Sequence, residues 1–337
     1  MSDMRKRFII FIGILSLIFI VLVCGMVSFF TRKTKTLKND VVVTIEKNSG
    51  AKKIAATLKE NGVIKSEFFF LWHIKSKGAA TQLKPGRYKF SKGKVTFDSV
   101  LAVLLKGEQE EQVTITIPEG YTVKQIGELL EEKGLTTKDE FLDYITSLTE
   151  LPYDYIEITG DYRQLEGFLF PDTYQIPTSW NNEKIVNKLL SEFDKNWTND
   201  YRERAKELNL TTREVITIAS LIEREARVES ERAKISSVIH NRLKKKMLLQ
   251  IDATVQYLLP EQKERLLYKD LEVDSPYNTY KKVGLPPTAI ASPGKASIKA
   301  ALYPEDTDYY YYRAKASGNG EHWFTKTLEE HNSYKGK

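Results

Sequence analysis

Cysteine is almost missing from this sequence: Cys24 is the only one in 337 residues. No intrachain disulfide and no cysteine-based metal site can form. Histidine is nearly as scarce. His73, His240, His322 and His331 lie far apart, with no HExxH or other paired spacing, so no metal site is indicated. A GxSxG, an SxxK, a Walker loop and a GxGxxG are also lacking. That removes the common serine-nucleophile, nucleotide and dinucleotide signatures. No dense block of lysine and arginine occurs. The 51 basic side chains against 45 acidic ones leave +6, a mild excess that does not indicate nucleic acid.

What is present begins with an apolar run. Phe8 to Phe30 carries no charge, and at 1.5 Å per residue it reaches about 34 Å, enough to cross a bilayer. The run is longer than a signal peptide's apolar region and has no small-residue cleavage site. It predicts a retained transmembrane helix at 8–30, after a cytoplasmic tail at 1–7 and before a polar linker at 31–40. Lysine and arginine flank both ends, so their count does not set the orientation.

A repeat follows. Residues 44–71 align without gaps onto 116–143, an offset of 72, with Ile45 on Ile117, Ile54 on Ile126, Leu58 on Leu130 and Gly62 on Gly134. Each copy reads as a short strand, an amphipathic helix closed by a glycine, and a second helix opened by Ser66 or Thr137. Two copies are too few for a solenoid, so this is a duplicated unit. Strongly helical stretches cover 183–209 and 211–245. Residues 250–256 alternate like a strand, 296–302 form a short helix, Tyr309–Tyr312 a strand, and 325–332 a last helix.

Residues 219–226, ASLIEREA, place a glutamate inside the oily face of a helix that Thr211 or Thr212 caps. Val215, Ile216, Ile218, Ala219, Ile222 and Ala226 form the stripe. Glu223 falls about 65–70° from its centre and Glu225 about 90°, so Glu223 is the better-buried carboxylate. Burial raises a carboxyl's pKa and keeps it protonated for general-acid work. A boundary glutamate bending out to water remains the other reading. Three further segments carry polar groups among aromatics: LEGFLFPDTYQIP (165–177) with Glu166, LQIDATVQY (249–257) with Gln250 and Asp252, and SPYNTYKKVGLPPTAIASPG (275–294) with Asn278, Tyr280 and Ser292. Phe168 and Tyr174 could stack on sugar rings or belong to the core. Carboxylates and amides on aromatic-rich loops are suited to a polysaccharide.

Together with EGYTVKQIGELL, VIHNRL and GEHWFTKTLEEHN, these stretches resemble the YceG-like endolytic murein transglycosylases over most of 112–332. The resemblance implies an α+β protein: an N-terminal transmembrane helix, a small LysM-like α/β unit at 41–108, and a mixed α+β catalytic domain with a helical core at 112–337. It implies an endolytic lytic transglycosylase without cofactor. Such an enzyme cleaves the bond between N-acetylmuramic acid and N-acetylglucosamine without water, leaves 1,6-anhydro ends and limits nascent strands at the membrane. The alternative is a non-enzymatic envelope protein that binds glycan or a synthase. The expected location is the cell membrane, single-pass, with the catalytic domain outside. Peptidoglycan glycan strands and penicillin-binding proteins are the expected partners. Glu223 corresponds to the family's catalytic glutamate and Glu225 is the secondary candidate. Gln250, Asp252, Asn278, Tyr280, Glu166 and Ser292 are the expected substrate-binding residues.

Overall fold

The structure, a computed structural model, describes residues 14, 16–21, 25, 34–107 and 111–336. The expected single-pass membrane location is corrected at this point. Among the described residues no helix is long and apolar enough to cross a membrane. Of the run from Phe8 to Phe30, only residues 14, 16–21 and 25 are described; the rest, like the tail at 1–7, lies outside the described residues.

The chain is a mixed α+β protein of many helices and small two-stranded sheets. It divides into two compact units, 1–110 and 111–337. In the first, β1 (Thr34–Leu37) and β2 (Val41–Ile45) precede α1 (Ala51–Glu60) and α2 (Glu67–Ser76), and β3 (Gly86–Phe90), β4 (Gly93–Thr96) and α3 (Phe97–Lys106) follow. β1 pairs with β4 and β2 with β3, both antiparallel, with Val43 opposite Tyr88. Alternation puts Val43, Ile45, Tyr88 and Phe90 inside, where they meet Ile54, Leu58, Phe70, Ile74 and Leu104.

In the second unit β5 (Gln112–Thr116) pairs antiparallel with β6 (Thr173–Pro177), and α4 (Val123–Glu132) and α5 (Lys138–Thr146) lie between them in the chain. Then come α6 (Asn182–Asn196), α7 (Asn199–Glu207), α8 (Thr212–Glu225), α9 (Arg232–Lys244), the short α10 (Asp252–Gln256), α11 (Lys295–Leu302), the hairpin of β7 (Tyr311–Ala314) and β8 (His322–Thr325), and α12 (Leu328–Ser333). The duplication is visible as structure, since α1 and α4 are displaced by the same 72 positions. Gly62 (φ 73°) and Gly134 (φ 68°) close them in the left-handed conformation that glycine adopts without penalty. Ser66 and Thr137 accept N–H bonds from Phe69 and Glu140 and open the second helices.

α8 is the centre of the second unit. Thr211 and Glu214 form a reciprocal capping box at its start. Val215, Ile216, Ile218, Ala219, Leu221 and Ile222 are all fully buried, so the helix is apolar on nearly every side and packs within the core. Its buried hydroxyls are satisfied: Thr217 donates to the Arg213 carbonyl, and Ser220 donates to Thr217 and accepts from the Ile290 N–H.

Some local expectations change. The helical stretch 183–209 is two helices, because Thr198 caps a new start behind the buried Trp197. Residues 250–256 are a turn and a helix, not a strand. Gln250 takes φ 54°, the Ile251 N–H goes to the Thr279 hydroxyl, and the Thr254 hydroxyl returns to the Ile251 carbonyl. A distant threonine thus satisfies the backbone that a neighbouring strand would otherwise have paired. The strand expected at Tyr309–Tyr312 moves by two residues, to Tyr311–Ala314.

The second unit contains one backbone close approach, at Gly167, next to a buried acid, Glu166. Gly167 (φ 86°) lies so near α8 that a Cβ there would stand 2.6 Å from Ile216 and 2.7 Å from Ala289. Gly160 (φ 71°) has open space around it. Gly167→Ala is expected to cost about 2–4 kcal/mol in denaturant unfolding, against about 1 kcal/mol for Gly160→Ala. Glu166, 1% exposed, accepts bonds from the Val123 N–H and the Tyr257 hydroxyl, both at 2.9 Å. Burial pushes its carboxyl up to about 7 despite those bonds. Below the unfolded-state value near 4.5 both states hold the proton. Above it the unfolded chain releases a proton that the folded one keeps, so stability falls until the pH passes about 7. The full loss is on the order of 3 kcal/mol. Glu166→Gln should therefore gain stability relative to wild type between pH 5 and pH 8. A pH-independent difference in unfolding free energy would refute this.

Candidate functional site

The last residue of α8, Glu225, lines a cavity of about 600 Å³. Gln250 enters it from the turn before α10, Asp252 from the first residue of α10, Tyr280 from the long loop, and Tyr312 and His322 from the hairpin. The Tyr312 hydroxyl donates to Glu225 Oε2 at 3.0 Å. The Tyr280 hydroxyl donates to Asp252 Oδ1. Arg242 of α9 ties the walls together: its Nε reaches the Tyr310 carbonyl at 2.7 Å, and its Nη1 reaches the Leu248 and Leu249 carbonyls at 3.0 and 2.7 Å. One guanidinium thereby joins the root of the hairpin to the turn that carries Gln250 and Asp252.

The electrostatics of this cavity favour the protonated form of its deepest acid. Burial raises the Glu225 carboxyl above the ordinary carboxylate range; the Tyr312 hydrogen bond opposes the rise and the Asp252 charge adds to it. The Tyr312 phenol is itself held well above its usual value, by burial first and then by the Glu225 charge. Tyr280 is raised by burial and by Asp252. Both phenols therefore remain hydrogen-bond donors.

Glu223 has a different environment. Its side chain is 7% exposed, as buried as periodicity led one to expect, but it is not among the residues lining the cavity. Oε1 accepts from Arg232 Nη1 at 3.2 Å, and Oε2 accepts from the Gly294 N–H at 3.0 Å, at the N-terminus of α11. Arg232 also donates to the Ser297 hydroxyl. An arginine and a backbone N–H at the start of a helix thus occupy both carboxylate oxygens. Glu119 lies against the same glycine, and its carboxyl is raised by burial and then by the Glu223 charge.

The remaining expected residues separate into groups. Gln250, Asp252, Tyr280 and Glu225 meet in one cavity. Asn278 does not face it. Its amide is fully buried, donating to the Leu271 and Val273 carbonyls at 2.8 and 2.7 Å and accepting from the Tyr280 N–H at 3.0 Å. It shapes the loop that delivers Tyr280. Ser292 is buried as well, and its backbone joins residues 120 and 121 through two hydrogen bonds. Glu166 lines a second cavity of about 460 Å³ beside Lys124, Tyr162 and Arg163. Phe168 and Tyr174 are core residues, buried among helices α6 and α8 and strand β5, with no face left for a sugar. Tyr312, Arg242 and His322 were not singled out as site residues. They reach the cavity from elements that no local pattern connects with ASLIEREA. Among the described residues no group of three or more His, Cys, Asp or Glu is gathered as a metal site.

The sequence profile of the YceG-like family matches residues 43–337. The chain is 39% identical over 313 residues to the endolytic murein transglycosylase of Bacillus subtilis (strain 168), covering 90% of this chain and 86% of that one. It is 33% identical over 323 residues to the endolytic murein transglycosylase of Streptococcus pneumoniae serotype 2 (strain D39 / NCTC 7466), covering 87% of this chain and 57% of that protein. A solved YceG-like protein from Listeria monocytogenes superposes with a TM-score of 0.57 at 33% identity, covering 88% of this chain and 99% of that one. The chain belongs to the YceG-like family.

Proposed function

We propose that this protein is an endolytic lytic transglycosylase of peptidoglycan, and that Glu225 rather than Glu223 is its acid. The observation that carries the assignment is the contrast between the two carboxyls. Glu225 lines the cavity with a raised pKa and accepts a bond from the Tyr312 phenol, whereas Glu223 is ion-paired and held at a helix N-terminus. The relatives named endolytic murein transglycosylase support the reaction class.

In this reading protonated Glu225 gives its proton to the oxygen between N-acetylmuramic acid and N-acetylglucosamine. The bond from that oxygen to muramyl C1 breaks as positive charge develops on the ring. The C6 hydroxyl of the same sugar closes onto C1 and gives up its proton, and Glu225 ends the cycle protonated again. The nucleophile is intramolecular, which supplies rate through proximity, and one carboxyl acid suffices where hydrolysis uses two carboxyl groups. Gln250, Asp252 and Tyr280 are suited to hold hydroxyl and N-acetyl groups in the cavity. Glu223 acts on the geometry of the helix end. Residues 112–337 form the catalytic domain in this reading. Residues 41–108, with their strand–helix–helix unit and paired strands, act as a LysM-like module for glycan. Penicillin-binding proteins are the proposed partners, on the strength of the family resemblance alone.

Glu225→Gln should lower release of anhydro-muramyl fragments from purified glycan strands by about 10³-fold or more with the fold retained. Glu223→Gln should keep measurable activity and lower the melting temperature. The reverse ranking would return the acid to Glu223, and reducing ends in place of anhydro ends would mean a hydrolase. Because the acid must carry its proton, kcat/KM should fall as pH rises, along a limb lying above the ordinary carboxylate value of about 4.3. A rate that climbs steadily from pH 4 to 8 would contradict a raised Glu225.

A further inference from the structure

The cavity holds one more group with an unusual setting. Glu231 grips His322 twice: its Oε1 accepts the His322 backbone N–H at 3.0 Å and its Oε2 meets His322 Nδ1 at 2.7 Å. Glu231 is buried, and the imidazole stands edge-on to Tyr312 with ring centres 5.5 Å apart. Tyr312 is the residue that donates to Glu225. A carboxylate at Nδ1 makes that nitrogen the donor and leaves the lone pair of a neutral ring on Nε2. Nε2 has no hydrogen-bond partner among the described residues, and His322 lines the same cavity as Glu225. An imidazole fixed in tautomer and orientation by a carboxylate, with its basic nitrogen free beside an acid, is the arrangement of a general base.

We propose that His322, oriented by Glu231, is the second catalytic group of this site and takes the proton of the muramyl C6 hydroxyl. The proposal rests on Glu225 as the acid and divides the two proton transfers between two side chains. Glu225 protonates the leaving oxygen as its bond to C1 breaks. Nε2 of His322 accepts the C6–OH proton as O6 bonds to C1. The imidazolium then passes that proton to the Glu225 carboxylate through solvent, so both groups return to their starting states and no water is consumed. Glu231 is a positioning residue, which touches the imidazole and not the sugar.

The test uses the full chain and uncrosslinked glycan strands, with kcat and KM measured separately. His322→Ala should lower kcat about 100-fold while KM stays within about threefold. Free imidazole should restore part of the rate in a saturable manner, since it can enter the 600 Å³ cavity and occupy the vacated place. A purely structural histidine would not be rescued in this way. A kcat within about threefold of wild type, or a folded His322→Ala protein that imidazole leaves unchanged, overturns the proposal. Should that variant fail to fold, Glu231→Gln keeps the ring and removes its carboxylate. A folded Glu231→Gln enzyme should show kcat lower by about tenfold with KM retained, and an unchanged kcat overturns the proposal. Glu225→Gln with imidazole is the control that separates the two readings. Activity in that variant would sink the acid assignment, whatever the histidine variants show.

Discussion

Two carboxylates on successive stretches of one helix cannot share a fate when the helix is buried on all sides. Residues two apart point about 200° apart around the axis. The body of α8 is packed into the core, so Glu223 and Glu225 emerge at its end on opposite sides. One side holds Arg232 and the Gly294 N–H; the other opens into the cavity. A single short motif therefore yields one carboxyl tied to an arginine and a backbone N–H, and another whose pKa burial raises. The divergence depends on α8 staying whole to its last turn, where the Ala226 N–H still reaches the Ile222 carbonyl at 2.8 Å.

Around that helix end the cavity is assembled from parts far apart in the chain. Arg242 joins the hairpin to the turn before α10, Asn278 shapes the loop that carries Tyr280, and Glu231 holds the first residue of β8. The hydrogen bonds of Arg242 and Asn278 go mainly to backbone, and those of Glu231 are divided between a backbone N–H and the ring of the same residue. Such contacts fix position at low conformational cost, because the groups they join are already ordered by the core. The side chains that line the cavity, Glu225, Asp252, Tyr280 and His322, are accordingly held in place by the fold.

Legibility in the sequence followed the range of the interaction. The duplicated strand–helix unit was readable because its signals, the apolar spacing, Gly62 and Gly134, and the capping Ser66 and Thr137, act within a few residues of each other. α8 was readable for the same reason. Alternation over 250–256 predicts a strand but is equally compatible with a turn and a short helix, and Thr279, which decides between them, is remote in sequence. Phe168 and Tyr174 read equally well as stacking platforms or core. Only the packing of α6 and α8 over them separates the two.

The residues themselves determined the α+β character, the repeat, an apolar helix carrying two glutamates and the polar segments around it; that this helix stops at Glu225, where 211–245 reads as one helical stretch, is set by the fold. Local periodicity and capping are properties of a few neighbouring residues, and these can be read directly. Which glutamate faces the cavity was decided by tertiary structure. Burial alone does not distinguish them, since both carboxyls are withdrawn from solvent. The difference lies in their partners, an arginine and a helix N-terminus for one and a phenol for the other, brought there by α9, α11 and the hairpin. A carboxyl's charge state follows its electrostatic neighbours, and those neighbours are set by long-range packing.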